Sequence, residues 1–183
     1  MVKGLDTFQK YFADYEEQYV LIGGAACDIL FESNEVNFRA TRDLDMVLIV
    51  EALTPEFGEK FWEFIADGKY RNKATNGSNP QFYRFDKPED DEFPKMIELF
   101  CRSDFKLKNA KEITPIHIDD EVSSLSAILL NDDYYKALLK GKEVRNGLSV
   151  LRPEYIILFK AKAYLDLKMR KDLGEKVDSN AVS

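Results

Sequence analysis

The most apolar β-type run of the chain begins directly after two acidic residues. Asp43-Leu44-Asp45 leads into Met-Val-Leu-Ile-Val, and the run ends at Val50. An unbroken, largely β-branched run is typical of a strand that is covered on both faces. We therefore predict a central strand over residues 43–50 in an α/β (α+β) fold, with a mixed β-sheet flanked by helices and a C-terminal helical segment.

Other segments show helical or strand periodicity. Helices are predicted over residues 5–18, 25–32, 55–66, 132–140 and 154–171. Strands are predicted over residues 19–22, 82–85, 95–101 and 147–151, with short strands at 116–118 and 127–130. Thr54 is predicted to cap a helix because Pro55 follows it, and proline is favoured at the first helical position. Segment 86–94 would join its neighbouring strands into a hairpin beside the central strand.

Asp43 and Asp45 are predicted to project from one face of the central strand. Side chains at i and i+2 of a strand point to the same side, so Leu44 and Met46 turn to the other. Two carboxylates on one face repel each other unless positive charge lies between them, and a divalent cation supplies that charge. A charge cluster at the strand entrance and a single-calcium site are the alternatives.

Glu98 is an acid inside an apolar strand pattern. It shares one face of the predicted strand 95–101 with Met96 and Phe100. A carboxylate between two large apolar neighbours is costly unless it is paired or metal-bound. The alternative interpretation is a solvated glutamate on an edge strand.

A glycine pair, Gly23-Gly24, ends the predicted strand 19–22 and precedes a helix. A strand, a glycine pair and a helix in succession let the backbone pass close to a ligand and direct helix amide groups toward an anion such as phosphate. A plain turn would leave the same pattern.

Composition indicates one domain. The chain has 183 residues, 45% of them apolar and 32% charged, as in ordinary soluble proteins. We expect the domain over residues 1–150, and a C-terminal helix and polar tail, packed on it, over residues 151–183. The net charge of −7 argues against a broad positive field that grips duplex DNA, but it leaves room for a locally basic groove.

The sequence predicts a cytoplasmic protein with no membrane partner. No apolar run reaches the roughly 18 residues of a membrane span, and the amino terminus lacks the charged-then-apolar pattern of a signal peptide. Cys27 and Cys101 lie in apolar segments without zinc-ligand spacing or a disulfide framework, so both are expected to be reduced.

Taken together, Gly23-Gly24, Asp43-Leu44-Asp45 and Glu98 resemble the signature of the nucleotidyltransferase superfamily that includes DNA polymerase beta. In that superfamily a Gly-Gly or Gly-Ser pair precedes Asp-x-Asp on one strand, and a further acid lies on a later strand. The chain departs from this pattern in two ways. The spacing from the glycine pair to the first aspartate is longer than in compact members, and the third acid is glutamate where many members have aspartate.

A nearer similarity is to the AbiEii-like nucleotidyltransferases, many of which are toxins of bacterial toxin–antitoxin pairs. The segment Arg39-Ala40-Thr41-Arg42-Asp43-Leu44-Asp45 matches their Arg-x-Thr/Ser-x-Asp-Leu-Asp block. Lys160, Ala163 and Lys171-Asp172 match a looser pattern on a late helix. The resemblance covers most of the chain, and its first block is the more specific.

The resemblance implies a magnesium-dependent nucleotidyltransferase. Two Mg²⁺ ions, or Mn²⁺, would be bound by Asp43 and Asp45. Glu98 would complete the second metal's ligands or take the proton of the acceptor hydroxyl. Magnesium is favoured over zinc because the site offers carboxylates and no convergent cysteine or histidine.

The resemblance also implies a site for ATP or another nucleoside triphosphate. The amides of Gly23 and Gly24 would bind the β- and γ-phosphates, Thr41 could bond a phosphate, and Lys160 could neutralise triphosphate charge. Arg39 belongs to the same block, with pairing to a nearby acid as its alternative role. Lys160 could instead extend from a core-facing helix position toward solvent.

The sequence does not identify the acceptor substrate. The enzyme would move one or several nucleoside monophosphates to an acceptor hydroxyl, with tRNA as acceptor in a toxin that pairs with an antitoxin protein. The alternatives are a small hydroxylated antibiotic such as an aminoglycoside, and a non-catalytic nucleotide-binding module. The basic residues available for RNA are Lys69, Arg71, Lys73, Lys160, Lys162 and Lys168.

Overall fold

A computed structural model describes residues 3–31, 43–72, 82–101 and 131–174 of the chain. Five helices lie in these ranges: α1 (Leu5–Phe12), α2 (Gly23–Phe31), α3 (Pro55–Asp67), α4 (Asp132–Gly141) and α5 (Pro153–Asp172). The strands are β1 (Tyr19–Ile22), β2 (Asp43–Leu48), β3 (Arg71–Asn72), β4 (Phe82–Asp86), β5 (Met96–Phe100), β6 (Lys142–Arg145) and β7 (Leu148–Leu151). The short strands predicted at 116–118 and 127–130 lie outside the described residues.

The seven described strands form one mixed sheet in the order β3-β4-β5-β2-β1-β7-β6. β2 is the central strand, with β1 antiparallel to it on one side and β5 parallel to it on the other. β4 and β5 form the predicted antiparallel hairpin. The predicted mixed sheet and its central strand are therefore confirmed, although β2 ends at Leu48 rather than at residue 50.

Helices α1 and α3 cover one face of the sheet. The rings of Phe8 and Phe12 lie edge-on to Tyr19 of β1, at centroid distances of 5.6 and 6.2 Å, and Phe61 lies 5.5 Å from Phe85 of β4. Side chains alternate along a strand, so Ile22 points to the opposite face from Tyr19. The acids of β2 share that opposite face, because Ile22 is paired with Asp45.

Thr54 caps α3 as predicted. Its side chain accepts a hydrogen bond from the Phe57 amide at 3.3 Å, and Pro55 is the first helical residue. The predicted end of α1 at residue 18 is wrong, because the helix stops at Phe12. Acidic residues follow within a turn of that point, and negative charge is unfavourable at the carboxyl end of a helix. α2 begins at Gly23 rather than at residue 25, so the glycine pair is part of its first turn.

α5 packs on the sheet domain through one side only. Ile156, Phe159 and Leu167 are buried, whereas Ile157 and Met169 have more than half of their surface exposed. The predicted domain boundary at residue 150 falls inside β7, which runs on to Leu151. Within the described ranges, no helix is both long and apolar enough to cross a membrane.

Candidate functional site

A row of polar side chains crosses three neighbouring strands of the sheet. Glu98 of β5 is paired in register with Asp45 of β2 on one side and with Arg84 of β4 on the other. Residues that are partners across neighbouring strands project from the same face. Asp43 lies two residues before Asp45 and therefore joins them. Three carboxylates and one guanidinium thus lie on the face that α1 and α3 leave uncovered.

Asp45 and Glu98 share a hydrogen bond between their carboxyl groups. Burial raises the pKa of Asp45 well above its ordinary value, and the Glu98 charge, the hydrogen bond to Glu98 and the Asp43 charge raise it further. Burial also raises the pKa of Glu98, while its bond from Asp45 lowers it. The Asp45 carboxyl therefore retains its proton more strongly than an ordinary aspartate and donates it to Glu98.

Arg84 partly balances this negative charge. Its Nε donates a 2.7 Å hydrogen bond to Oε1 of Glu98, and its Nη2 forms an ion pair with the same oxygen. Glu98 is only 7% exposed. The Arg84 charge and hydrogen bond both lower the pKa of Glu98, against the effect of burial. Arg84 therefore offsets the charge of Glu98, and release of the Asp45 proton would add a negative charge to the site.

Gly23 brings the start of α2 against Asp45. Its φ of +65° lies in the left-handed region, and a Cβ at this position would overlap Oδ2 of Asp45. Both facts require glycine here. The first-turn amides of a helix have no partner within the helix, so the start of α2 offers donors beside the carboxylate.

Lys160 approaches the acids from α5. The Lys160 charge lowers the pKa of Asp45. Burial raises the pKa of the Cys27 thiol, and the Lys160 charge lowers that pKa too. Lys160 itself is exposed. Two cations therefore act on the acids, Arg84 of β4 through its contact with Glu98 and Lys160 of α5 through its charge.

The carboxylates suit a divalent cation, although they are not arranged as a formed ligand set. In the part of the chain that the structure describes, no three His, Cys, Asp or Glu side chains converge as metal ligands. The Nε and Nη2 contacts of Arg84 both fall on Oε1 of Glu98, and the hydrogen bond between Asp45 and Glu98 would be replaced when a cation binds. Carboxylate oxygens are the ligands that Mg²⁺ prefers, and a carboxyl with a raised pKa, such as that of Asp45 or Glu98, would bind the ion in exchange for its proton, so this donor set fits the ion.

Six of the eight predicted site residues lie in the described part of the chain, and five of these six act on one another at the site. These are Gly23, Asp43, Asp45, Glu98 and Lys160, with Gly24 next to them in α2. Arg39 and Thr41 lie outside the described residues.

Arg84 was not predicted as a site residue. The sequence did contain a signal for it. Arg84 is a basic residue in the otherwise aromatic strand 82–85, and Glu98 is an acidic residue in the otherwise apolar strand that was predicted to pair with it.

No family model matches the chain, and no curated protein or solved structure matches it. Support for a function of this site therefore comes from its residues and their geometry.

Proposed function

We propose that the protein is a divalent-metal-dependent nucleotidyltransferase, which moves a nucleoside monophosphate from a nucleoside triphosphate to an acceptor hydroxyl. The observation that carries the proposal is the register of β2 and β5, which pairs Asp45 with Glu98 and leaves Asp43 on the same face. Gly23 begins α2 beside Asp45, and the third acid lies on the later strand β5 next to β2, so the residues of the signature that the sequence resembles lie close together.

The three carboxylates would bind magnesium or manganese. When bound, the metal ions neutralise triphosphate charge and lower the pKa of the acceptor hydroxyl. Asp43 and Asp45 would hold the ions, because they lie two residues apart on one face of the central strand. Glu98 would serve as a further ligand or accept a proton.

The nucleotide would lie between the start of α2 and Lys160. Helix amides without intrahelical partners donate to phosphate oxygens, and the helix dipole favours the negative charge there. Lys160 is exposed, and its charge acts on Asp45, so it would add a positive charge near the phosphates. Arg39 and Thr41 keep their proposed roles in binding the nucleotide.

The transfer itself is a displacement at the α-phosphorus. The acceptor oxygen forms a bond to this phosphorus, the bond from phosphorus to the bridging oxygen breaks, and pyrophosphate leaves. The hydroxyl proton would pass to water or to a carboxylate. Glu98 is a candidate for this role because it is the strand partner of Asp45. The described residues would contribute to this reaction mainly by binding and orienting the reactants.

RNA is the acceptor that the charges near the site favour. Lys160 is exposed and acts on Asp45 through its charge, and two acidic side chains of the β4–β5 loop are paired with lysines. Glu89 lies 3.0 Å from Lys69, and Asp91 lies 3.1 Å from Lys3. The loop therefore offers less free negative charge to a cationic aminoglycoside than its composition indicates. A tRNA acceptor and an antitoxin partner belong to this proposal.

Calorimetric titration of nucleoside triphosphates tests the binding half of the proposal. The wild-type protein should bind them with Mg²⁺ present and should lose binding with a chelator. Asp45→Asn should keep the fold and lose this binding, because an amide fills the same volume but is a poor ligand. Glu17→Gln is the matched control, since Glu17 is an exposed acid paired with Lys142, at the opposite end of β1 from Ile22.

A further inference from the structure

Arg84 forms a largely buried ion pair with Glu98. It lies in β4 directly opposite Glu98, with Asp45 on the far side of Glu98, so the cation and the two acids stand in one line across the sheet. Its Nε and Nη2 both contact Oε1 of Glu98. The two side chains are 24% and 10% exposed, so the pair is largely removed from water.

This contact restricts the direction of the Glu98 side chain. A glutamate has three rotatable side-chain bonds, and Glu98 lies on its strand between Met96 and Phe100, neither of which can hydrogen-bond a carboxylate. A guanidinium is planar and donates in a fixed fork, so two of its nitrogens on Oε1 hold that oxygen in place, and Oε2 of Glu98 takes no part in these contacts. A lysine at the same place would supply charge without that geometry.

We propose that Arg84 is the positioning residue for the third carboxylate, which it orients toward Asp45 so that the carboxylates act together on one metal ion. This inference rests on the proposed function. It gives Arg84 no contact with the substrate and no part in proton transfer. It assigns the ion pair a role in binding the metal, beyond its contribution to the stability of the hairpin.

The sign of the effect separates this role from simple electrostatics. A positive charge near a metal site repels the metal, so its removal alone would strengthen metal binding. If Arg84 positions Glu98, removal should weaken metal binding despite this Coulomb gain. Loss of an outer partner that orients a metal ligand typically weakens affinity or activity by roughly 10- to 100-fold.

The test is Mn²⁺ binding, followed by electron paramagnetic resonance of free Mn²⁺, for wild type, Arg84→Met, Arg84→Lys and Glu98→Gln. We expect both Arg84 variants to bind Mn²⁺ roughly 10- to 100-fold more weakly. Arg84→Met should add little once Glu98 is already Gln, because the two residues act as a unit. Arg145→Met is the control for loss of one arginine, since Arg145 pairs with Glu143 on β6.

Each other outcome overturns a different statement. Equal or tighter Mn²⁺ binding by Arg84→Met would overturn the positioning role and leave the proposed function standing. If the losses of Mn²⁺ affinity from Arg84→Met and Glu98→Gln add up in the double variant, the positioning role would also be overturned. Wild-type protein that binds no Mn²⁺, with or without a nucleoside triphosphate, would overturn the proposed function and the positioning role together. If Arg84→Met fails to fold by circular dichroism, Arg84→Lys decides, because retained wild-type affinity in that variant would contradict the need for a guanidinium fork.

Discussion

Asp45 of β2 and Glu98 of β5 are direct partners across two parallel strands, and their carboxyl groups share a hydrogen bond. They come from positions more than fifty residues apart in the sequence, so the pairing depends on the fold rather than on local structure. Glu98 is buried and Asp45 is partly buried, and two acids in contact in such a place share a proton when no cation is present. This relationship links the stability of the metal-free protein to pH.

The metal-free protein should lose stability as pH rises. Asp45 has a folded pKa well above its ordinary value of 3.8, so the folded state binds more protons than the unfolded state between these two values. The stabilising contribution is complete below the unfolded pKa and is lost as pH rises through the folded pKa. Urea denaturation of the chelated protein at a series of pH values from 3.8 into the alkaline range measures this slope.

Asp45→Asn is the control for that slope. Its free energy of unfolding should vary less with pH than that of wild type, and at the alkaline end the variant should be the more stable protein without metal. Mg²⁺ should restore wild-type stability at that end, because it binds the ionised carboxylates of the folded state. A wild-type slope equal to that of Asp45→Asn would show that Asp45 is not the group responsible.

Gly23→Ala should damage the site more than the fold. An alanine with φ near +65° costs about 1–2 kcal/mol of stability, and its Cβ would also push Asp45 Oδ2 aside. Gly147→Ala is a matched control, since Gly147 has φ +67° and a Cβ there would make only ordinary contacts. The left-handed φ should cost both variants a similar amount of stability, and Gly23→Ala should lose somewhat more because its Cβ also displaces the Asp45 carboxylate. Only Gly23→Ala should weaken Mn²⁺ binding, by about tenfold or more, as misplaced reactive groups do.

Lys160→Met should weaken nucleotide binding. We expect about a tenfold rise in the dissociation constant for Mg²⁺ and ATP, near the lower end for a hydrogen bond to a charged group because Lys160 is exposed. Lys168→Met, about two turns further along α5, removes the same charge away from the acids. Equal effects of the two substitutions in a calorimetric titration would indicate a general field effect instead of a contact at the site.

The acceptor class should be visible in salt dependence. If RNA binds beside the acids, its affinity should fall as salt rises, with a slope set by the number of phosphates neutralised. Charge reversal at Lys160 and Lys168 should reduce that slope, whereas reversal at Asp90 and Glu92 of the β4–β5 loop should not. A filter-binding series with total tRNA measures both. Stronger dependence on the loop acids, with a raised KM for an aminoglycoside, would favour the antibiotic acceptor.

Local patterns predicted the elements that frame the site. β1 over Tyr19–Ile22 and the start of α3 at Pro55 follow from a short apolar run and from a proline behind a capping threonine. The central strand was predictable because a buried strand needs an unbroken apolar run. Asp43 and Asp45 share a face by the period of a strand alone.

Features that depend on pairing between strands were harder to predict. Arg84 meets Glu98 because of the hairpin register, which the nine-residue loop between β4 and β5 does not specify. The strand β6 was missed although Asn146-Gly147, with φ of 50° and 67°, is the usual sequence of a tight hairpin turn. On α5, apolar residues occur all round the helix, so periodicity could not separate buried Ile156 from exposed Ile157.

The central claim is metal-dependent nucleotidyl transfer, and one assay tests it directly. The protein is incubated with Mg²⁺, each nucleoside triphosphate labelled at the α-phosphate, and either total tRNA or an aminoglycoside panel. We predict label on RNA with wild type and with Glu17→Gln, and label at background with Asp45→Asn or with a chelator. Transfer by Asp45→Asn at the wild-type rate, or no label on either acceptor with folded wild-type protein, would contradict the account.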